Sequence, residues 1–533
     1  MAINNLAHDV LILGGGHAGV RAARQLIRRQ RPGERLDVAL VSRDNVELWH
    51  GLMPQMLANT VQPEHVVVPL REVLKGVSIY VYEIREIDLE HQRVTIDRGT
   101  DGEELILTYR TLVLAMGSTI DLSRFPGMLE HALPTKTIGD FVHVRNQVIG
   151  MLEAASEQSD ASVREEQLTF VVAGAGFAGV EVASEIDELV GLSLPLYPHL
   201  SRPQLRIISV DYPGTRVLPS MSERVSAMAY ENLTRRGIEV RLGTAVASAS
   251  AHDVRLSNGE VIASRNLIAT AGTGINPVVQ PLAVNFVRGR ILCDEFGRVS
   301  GWPGVFAAGD VAAIPDSHRT PYPPTVTFAI AAGESVGMNV LATLRGEPLR
   351  RIEHESVAQV GIMSRRYAVA QIRGWAVQGR LGVLAGRLLF LSYMPNWRRR
   401  GRLLLDWLTS GLFGRDVTEL QMDRTSGLSR MRFKAGDEIV RAGELGNRFY
   451  VITDGEVEII DRRDRARVLG RLGPGEHFGE IALSQGVRRT ASVRAAKDTG
   501  VIAMDRSDFR LLSESVPALR AEWRPASVPV AEA

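Results

Sequence analysis

The chain has 533 residues, 45% hydrophobic and 23% charged, with a formal net charge of +1, so nothing global directs it to nucleic acid. That length exceeds what one hydrophobic core supports and points to roughly three or four domains. The single cysteine, Cys293, excludes an internal disulfide, a CxxC redox pair and a thiolate metal cluster made by this chain alone, which fits a cytosolic protein.

Met1 to His8 shows no charged region followed by a long apolar stretch, so no signal peptide is expected. No segment offers the roughly 18 uninterrupted apolar residues of a membrane-spanning helix. An apolar run from Val10 leads into Gly14-Gly-Gly16-His17-Ala18-Gly19 and then an Ala-rich stretch, Arg21 to Arg29, of helical character. The same order returns with Phe170-Val-Val-Ala, then Gly174-Ala-Gly176-Phe177-Ala178-Gly179, then Glu181 to Leu189. In each GxGxxG the first glycine allows the tight turn, the second lets backbone approach a pyrophosphate, and the third lets helix and strand pack closely. The helix N-terminus then faces the phosphates. Two such turns in matching contexts imply two dinucleotide sites, and so two cofactors that exchange electrons.

An acidic residue about 20 positions beyond each motif would bond an adenosine ribose. In the second unit Asp211 closes the strand Leu205 to Val210, and its carboxylate disfavours a 2′-phosphate, which favours NADH. Arg216 nearby leaves NADPH open. In the first unit the strand Asp37 to Val41 ends in Ser42, Arg43 and Asp44, so the ribose contact falls to a hydroxyl or to Asp44, unless Ser42 merely ends the strand.

Two further stretches, Leu112-Val-Leu-Ala115-Met-Gly117-Ser118 and Gly304-Val-Phe-Ala-Ala-Gly309-Asp310, resemble the flavin-domain signatures of the two-dinucleotide-fold flavoprotein superfamily. The resemblance implies FAD in the first site, with Asp310 on the flavin ribityl chain and Ala115, Gly117 and Gly309 beside it. Helix capping is the other reading of Asp310. Gly272 completes the NAD-binding set. The helix from about Thr325 to Leu344 would aim its positive end at the flavin ring.

Residues 8–415 resemble type II NADH dehydrogenases, peripheral membrane enzymes that pass electrons from NADH through FAD to quinone. The carriers are Pro63-Glu-His-Val-Val-Val-Pro-Leu-Arg71, Glu130-His-Ala-Leu-Pro-Thr-Lys-Thr137 and Gly176-Phe-Ala-Gly-Val-Glu181. The resemblance places Glu181 near flavin and nicotinamide as the catalytic candidate, although negative charge early in a helix also has a plain structural reason. Where that family carries two quinone-side glutamines, this chain has Thr327 and Ala331, and Trp49-His50-Gly51 departs from the family's loop beside the flavin. The absent CxxC pair removes the disulfide reductases of the same fold.

Leu381 to Tyr393, Trp397-Arg-Arg-Arg400 and Leu403 to Phe413 are too short and too charged to span a bilayer. Leu404, Leu408 and Leu412 repeat every four residues beside Trp and Arg, the pattern of a helix lying among lipid headgroups; a buried helix or a dimer contact is the alternative.

After Arg424-Thr-Ser-Gly427 the texture changes to short alternating strands. Asp454-Gly455 between two such runs predicts a hairpin, and the even spacing predicts a small β-barrel or jelly roll. Phe478-Gly479-Glu480-Ile481-Ala482-Leu483, with Arg489-Thr490-Ala491 beyond it, resembles the phosphate-binding cassette of cyclic-nucleotide-binding domains. Gly479 and a short helix would offer amides to the cyclic phosphate, Arg489 would pair with its charge, and Glu480 would accept from the ribose 2′-OH. Thr490 admits cyclic GMP, whereas Arg-Thr-Ala leans to cyclic AMP. No helix-turn-helix follows. A lid helix is expected over Ser507 to Ser515, with Trp523 to stack on a purine and a disordered tail at 521–533.

The expected architecture is α/β: an FAD domain at 1–120 and 285–345, an NAD(H) domain at 121–284, both Rossmann-like, an amphipathic membrane-surface region at 346–416, and the cyclic-nucleotide domain at 420–520. The expected function is a cyclic-nucleotide-regulated NADH:quinone oxidoreductase, cytoplasmic and peripheral on the inner face of the cell membrane, with a homodimer left open. The alternatives are a soluble electron acceptor, or a redox and cyclic-nucleotide signalling module without turnover.

Overall fold

The computed structural model describes residues 5–97, 104–123, 125–419, 428–442, 448–461, 467–484, 489–505 and 509. The chain forms two compact units, residues 1–96 with 106–421, and residues 97–105 with 422–533.

In the first unit the run from Val10 to Leu13 is fully buried, as a parallel strand covered on both faces requires. It belongs to β1 (Asn5–Leu13), which turns into α1 (His17–Arg28) and returns as β2 (Val38–Ser42). With β3 (Ser78–Val81), β4 (Glu83–Asp88), β5 (Arg93–Asp97) and β6 (Glu104–Leu114), these strands form a sheet in the order β3-β2-β1-β6-β5-β4. Both neighbours of β1 run parallel to it, Val10 lying opposite Val38 and Thr111.

The chain then builds a second sheet. Strand β7 (Ala132–Pro134) precedes α2 (Ile138–Glu157), whose start is fixed by a reciprocal cap between Thr137 and Asp140. Strand β8 (Thr169–Ala173), α3 (Phe177–Ser193), β9 (Arg206–Asp211), β10 (Ile238–Leu242) and β11 (Asn266–Ala269) follow. The order is β7-β11-β8-β9-β10, parallel throughout. Each sheet thus carries one glycine turn at the C-terminal end of a central strand.

Returning to the first sheet, β12 (Val305–Ala307) pairs in parallel with β6, and α4 (Val326–Arg345) packs along α1. The approach is close enough that a side chain on Gly333 would strike the backbone of Ala18. Among the described residues α4 alone is long and apolar enough to cross a membrane, but most of it is buried, as in a core helix. The next segment holds an antiparallel sheet that the sequence pattern did not announce, β13 (Ala358–Ile362), β14 (Ala368–Ile372) and β15 (Trp375–Gln378), followed by α5 (Gly379–Tyr393) and α6 (Trp397–Leu412).

The second unit is a jelly roll. Its strands are β16 (Leu428–Phe433), β17 (Glu438–Val440), β18 (Arg448–Asp454), β19 (Val457–Ile460), β20 (Val468–Leu472), β21 (His477–Phe478), β22 (Ser492–Ala495) and β23 (Thr499–Asp505), with α7 (Glu480–Ser484) after β21. They form two four-stranded sheets, β16-β23-β18-β21 and β17-β22-β19-β20, around Tyr450, Ile452, Val457, Phe478, Val493 and Val501. The expected Asp454-Gly455 hairpin is therefore corrected. The turn carries the chain from one sheet into the other, because β18 pairs with β21 and β23 while β19 pairs with β20 and β22. The linker around Arg424, the lid helix apart from the buried Phe509, Trp523 and the tail lie outside the described residues.

Candidate functional site

At the first turn Gly14 has φ +114°, and a Cβ there would collide with the Ala115 carbonyl. The strand ends carrying Gly14 and Ala115 thus meet, and Gly117, with φ +67°, follows directly. Gly16 caps α1, and His17, Ala18 and Gly19 form its buried first turn. His17 Nδ1 lies 2.7 Å from Glu47 Oε1, with Glu47 wholly buried. The His17 ring meets Trp49 edge-on at 4.7 Å. His17 Nε2, Glu47 Oε2 and Trp49 Nε1 are buried without a partner among the described residues. Such atoms call for a ligand's polar groups, so the residues at this turn fit a bound dinucleotide.

Around it, His50 is pushed down to about 3 by desolvation, then by the neighbouring Lys136 and His17, and so stays neutral. Lys136 Nζ donates to Ser118 Oγ at 3.3 Å. Ser42 is buried with its hydroxyl against Gly15, whereas Arg43 and Asp44 are exposed and pair with each other at 3.5 Å. Gly309 packs against Ala18 of α1, and Asp310 follows it in a short 3-10 turn. The helix-cap alternative for Asp310 is ruled out for α4, because Thr325 caps it by accepting from Phe328 N at 3.2 Å. Thr327 and Ala331 lie one turn apart on α4, both half-buried.

At the second turn Gly174 has φ +122° and Gly176 caps α3, which opens with Phe177, Ala178 and Gly179. Asp211 ends β9 with its carboxylate over Gly214. Arg216 is directed to the Pro219 carbonyl, at 3.0 Å, and to Glu223. Gly272, with φ +97°, accepts from Asp121 N at 2.7 Å. Glu181 is buried one turn into α3, and its Oε1 accepts from Ile362 N of β13 at 2.9 Å. Burial pushes its carboxyl up to about 8, against the Ile362 bond and with help from Glu185. Glu185 is fully buried and likewise raised to about 8 by burial, then by Glu188.

Helix α6 has two different faces. Leu403 and Trp407 are buried, Trp407 Nε1 donates to Gln55 Oε1 at 3.1 Å, and Asp406 Oδ2 lies 2.6 Å from His65 Nδ1. Leu404, Leu408, Leu412 and Phe413 are exposed, as are Leu381, Leu384 and Leu388 on α5 and Trp397. Residues 357–413 carry nine arginines and one acid, Asp406.

In the jelly roll Gly479 has φ +98° and precedes α7, with Glu480 and Ile481 half-buried and Ala482 buried. Arg489 is buried; Nη1 donates to the Gly479 carbonyl at 2.9 Å and Nη2 to that of Arg448 at 2.6 Å. Its guanidinium stands 6.0 Å from the Tyr450 ring, which stacks on Phe478. Glu480 Oε2 is buried without a partner among the described residues, and Thr490 is exposed.

A family model for pyridine nucleotide-disulphide oxidoreductases matches residues 8–333, the stretch that holds both glycine turns and the Gly309-Asp310 pair. The chain belongs to this family. A model for the cyclic nucleotide-binding domain matches residues 430–515. Among relatives, the type II NADH:quinone oxidoreductase Ndh of Mycobacterium tuberculosis is 28% identical over 427 residues, covering 76% of this chain and 88% of the relative. The demethylphylloquinone reductase NdbB of Synechocystis is 27% identical over 413 residues, covering 76% and 96%. The NDH2 structure from Plasmodium falciparum in complex with NADH shares the fold at a TM-score of 0.69 and 16% identity, covering 77% of this chain and 99% of that one.

This oxidoreductase is therefore type II NADH:quinone oxidoreductase-like, with a flavin and NADH implied by the family. Sequence reasoning missed Glu47, Glu185 and Gln55. For Glu185 a signal was present, since it stands four residues after Glu181 in the same helix, a spacing that puts both carboxyls on one face.

Proposed function

We propose that this protein oxidises NADH at the Gly174 turn, passes the electrons through FAD held at the Gly14 turn, and delivers them to a quinone at a membrane surface, with a cyclic nucleotide in the jelly roll setting the rate. The observation that carries this reading is the placement of Glu181, a buried carboxyl on the helix that opens at the NAD turn and packs against the His50–Met56 turn beside the flavin pocket. FAD, when bound, supplies the chemistry of accepting a hydride and releasing two electrons. The protein's part is to hold and orient. Gly14, Gly16, His17, Ala18 and Gly19 cradle the pyrophosphate, Ser42 meets the ribose, Asp310 the ribityl chain, and Ala115, Gly117 and Gly309 admit backbone contact. On the other side Gly174, Gly176, Phe177, Ala178, Gly179 and Gly272 receive NADH, and Asp211 bonds its adenosine ribose. Glu181 in its neutral form offers the proton that reduction of the acceptor requires.

The quinone would approach along Thr327 and Ala331, while the exposed leucines and the arginines of α5 and α6 lie on the inner, anionic face of the cytoplasmic membrane. In the jelly roll Arg489, Glu480 and the Phe478–Ala482 segment bind the cyclic nucleotide, cyclic AMP in preference. Regulation follows only if the ligand favours one conformation of the chain over another. One observation favours a second reading with a soluble acceptor: α4 offers a hydroxyl, Thr327, and a methyl, Ala331, at the positions where the family resemblance implies two glutamines.

The test uses purified protein. NADH should bleach the flavin faster than NADPH, and Asp211→Asn should narrow the difference. Steady-state NADH oxidation should run faster with quinone than with a soluble dye. Equal rates with both nucleotides would remove the role of Asp211, and turnover with the dye alone would establish the soluble acceptor.

A further inference from the structure

Helix α3 carries three carboxyls on one face, Glu181, Glu185 and Glu188. Glu181 is bonded at one oxygen to Ile362 N. Glu185, one turn on, is fully buried, and neither of its oxygens has a hydrogen-bond partner among the described residues. Glu188, at the outer end, is partly exposed and bonds Arg415 Nη2 at 2.6 Å. The charged groups facing Glu185 are Glu181 and Glu188 on its own helix, Arg236 beyond the helix Glu223–Arg235, and Arg415 beyond α6. Arg236 is engaged by Asp187 at 2.7 Å and by the Ser184 carbonyl, and Arg415 by Glu188 and Thr60. Neither arginine hydrogen-bonds Glu185. A carboxylate without a partner in such a place costs far more than a carboxylic acid, so Glu185 carries a proton at neutral pH.

A protonated, unbonded carboxyl inside a helix is a poor structural choice. A methylene chain of similar size would fill the space without that cost. The reaction, however, has a use for it. NADH, quinone and one proton become NAD+ and quinol: the hydride brings two electrons and one proton, and the second proton must come from solvent through the protein. Side chains four apart on a helix stand about 5–6 Å apart at Cβ, within reach of each other's carboxyls after rotation.

We propose that Glu185 is the proton store for acceptor reduction, acting through Glu181. As the quinone takes its electrons, the Glu181 O–H bond breaks toward the quinone oxygen, the Glu185 O–H bond breaks to refill Glu181, and Glu185 regains a proton from solvent past Glu188. This rests on the quinone reading above and adds to it a residue that touches no substrate.

The experiment separates the two half-reactions in the full-length flavoprotein. Glu185→Gln preserves the shape and the neutrality of the acid but carries no transferable proton. Flavin bleaching by NADH in stopped flow should be unchanged, while reoxidation of the reduced protein by a soluble quinone should slow about 100-fold. In the wild type, reoxidation should fall as pH rises through about 8, where Glu185 loses its proton, and Glu185→Asp should keep a falling limb but move it. Reoxidation by Glu185→Gln at the wild-type rate from pH 6 to 9 overturns the inference. Should Glu185→Gln lose its flavin, Glu185→Asp decides: an unmoved limb overturns the inference. A wild type that reduces no quinone sinks the parent reading and this one together, whereas wild-type quinone reduction with an indifferent Glu185→Gln sinks this one alone.

Discussion

His17 Nδ1 and Glu47 Oε1 meet at 2.7 Å, each side chain closed to solvent, at the first turn of α1. Their outer atoms, His17 Nε2 and Glu47 Oε2, have no partner among the described residues, so the pair holds one hydrogen bond and offers two. Glu47→Ala leaves the His17 nitrogen buried and unbonded, at a cost of about 1–3 kcal/mol. Both the melting temperature and the ratio of flavin to protein absorbance should fall, and Glu47→Gln should do less damage. Full flavin content in Glu47→Ala would separate the pair from cofactor retention.

Glu181 and Glu185 have folded-state carboxyls raised to about 8 from an ordinary value of 4.5. Between those values the folded chain holds protons that the unfolded chain has released, so stability falls as pH rises through this window and levels off above it. The slope is roughly 1.4 kcal/mol per pH unit for each such carboxyl. Thermal melting from pH 6 to 9 should show the decline, and Glu185→Gln should flatten it. A decline of the same steepness in that variant would assign the effect to other groups.

Leu404, Leu408 and Leu412 are 52%, 57% and 68% exposed, while Leu403 and Trp407 on the same helix are buried. Replacing the three outward leucines with serine should leave the fold intact, since Trp407 to Gln55 and Asp406 to His65 hold the inner face. Each leucine gives up about 1.5–3 kcal/mol of burial in lipid, so co-sedimentation with anionic vesicles should be lost. High salt alone should release the wild type only in part. Retained sedimentation by the triple variant would place the membrane contact elsewhere.

Arg489 donates to the carbonyls of Gly479 and Arg448 and so ties the cassette to β18. Arg489→Ala should therefore both lower the jelly roll's stability and cut cyclic-nucleotide affinity about 100-fold. Glu480→Gln keeps the local packing and should weaken binding with little change in melting. Calorimetric titration with cyclic AMP and cyclic GMP reads the affinity. No heat with either nucleotide in the wild type would end the binding reading, and binding with unchanged NADH turnover would end only the regulatory one.

Some of this was legible one residue at a time. The glycine turns are set by backbone conformations that few residues tolerate, so Gly14 and Gly174 mark their sites in the sequence and both adopt positive φ. The four-residue spacing of Leu404, Leu408 and Leu412 fixed one face of a helix, though it did not say whether that face was covered. Asp454-Gly455 misled because a turn signal specifies that the chain reverses and not which strand it meets.

The sequence by itself thus determined two glycine turns, an amphipathic helix and a jelly roll of the cyclic nucleotide-binding kind, because each is written in contiguous residues whose local geometry is nearly forced. Tertiary structure alone decided that Gly309 lies on Ala18, that Glu47 answers His17, and that Glu185 is sealed from solvent. Those facts depend on which distant surfaces exclude water from a side chain. Burial, unlike a turn, belongs to the packed assembly of elements, and it is burial that sets the charge state of the carboxyls on which the proposed chemistry rests.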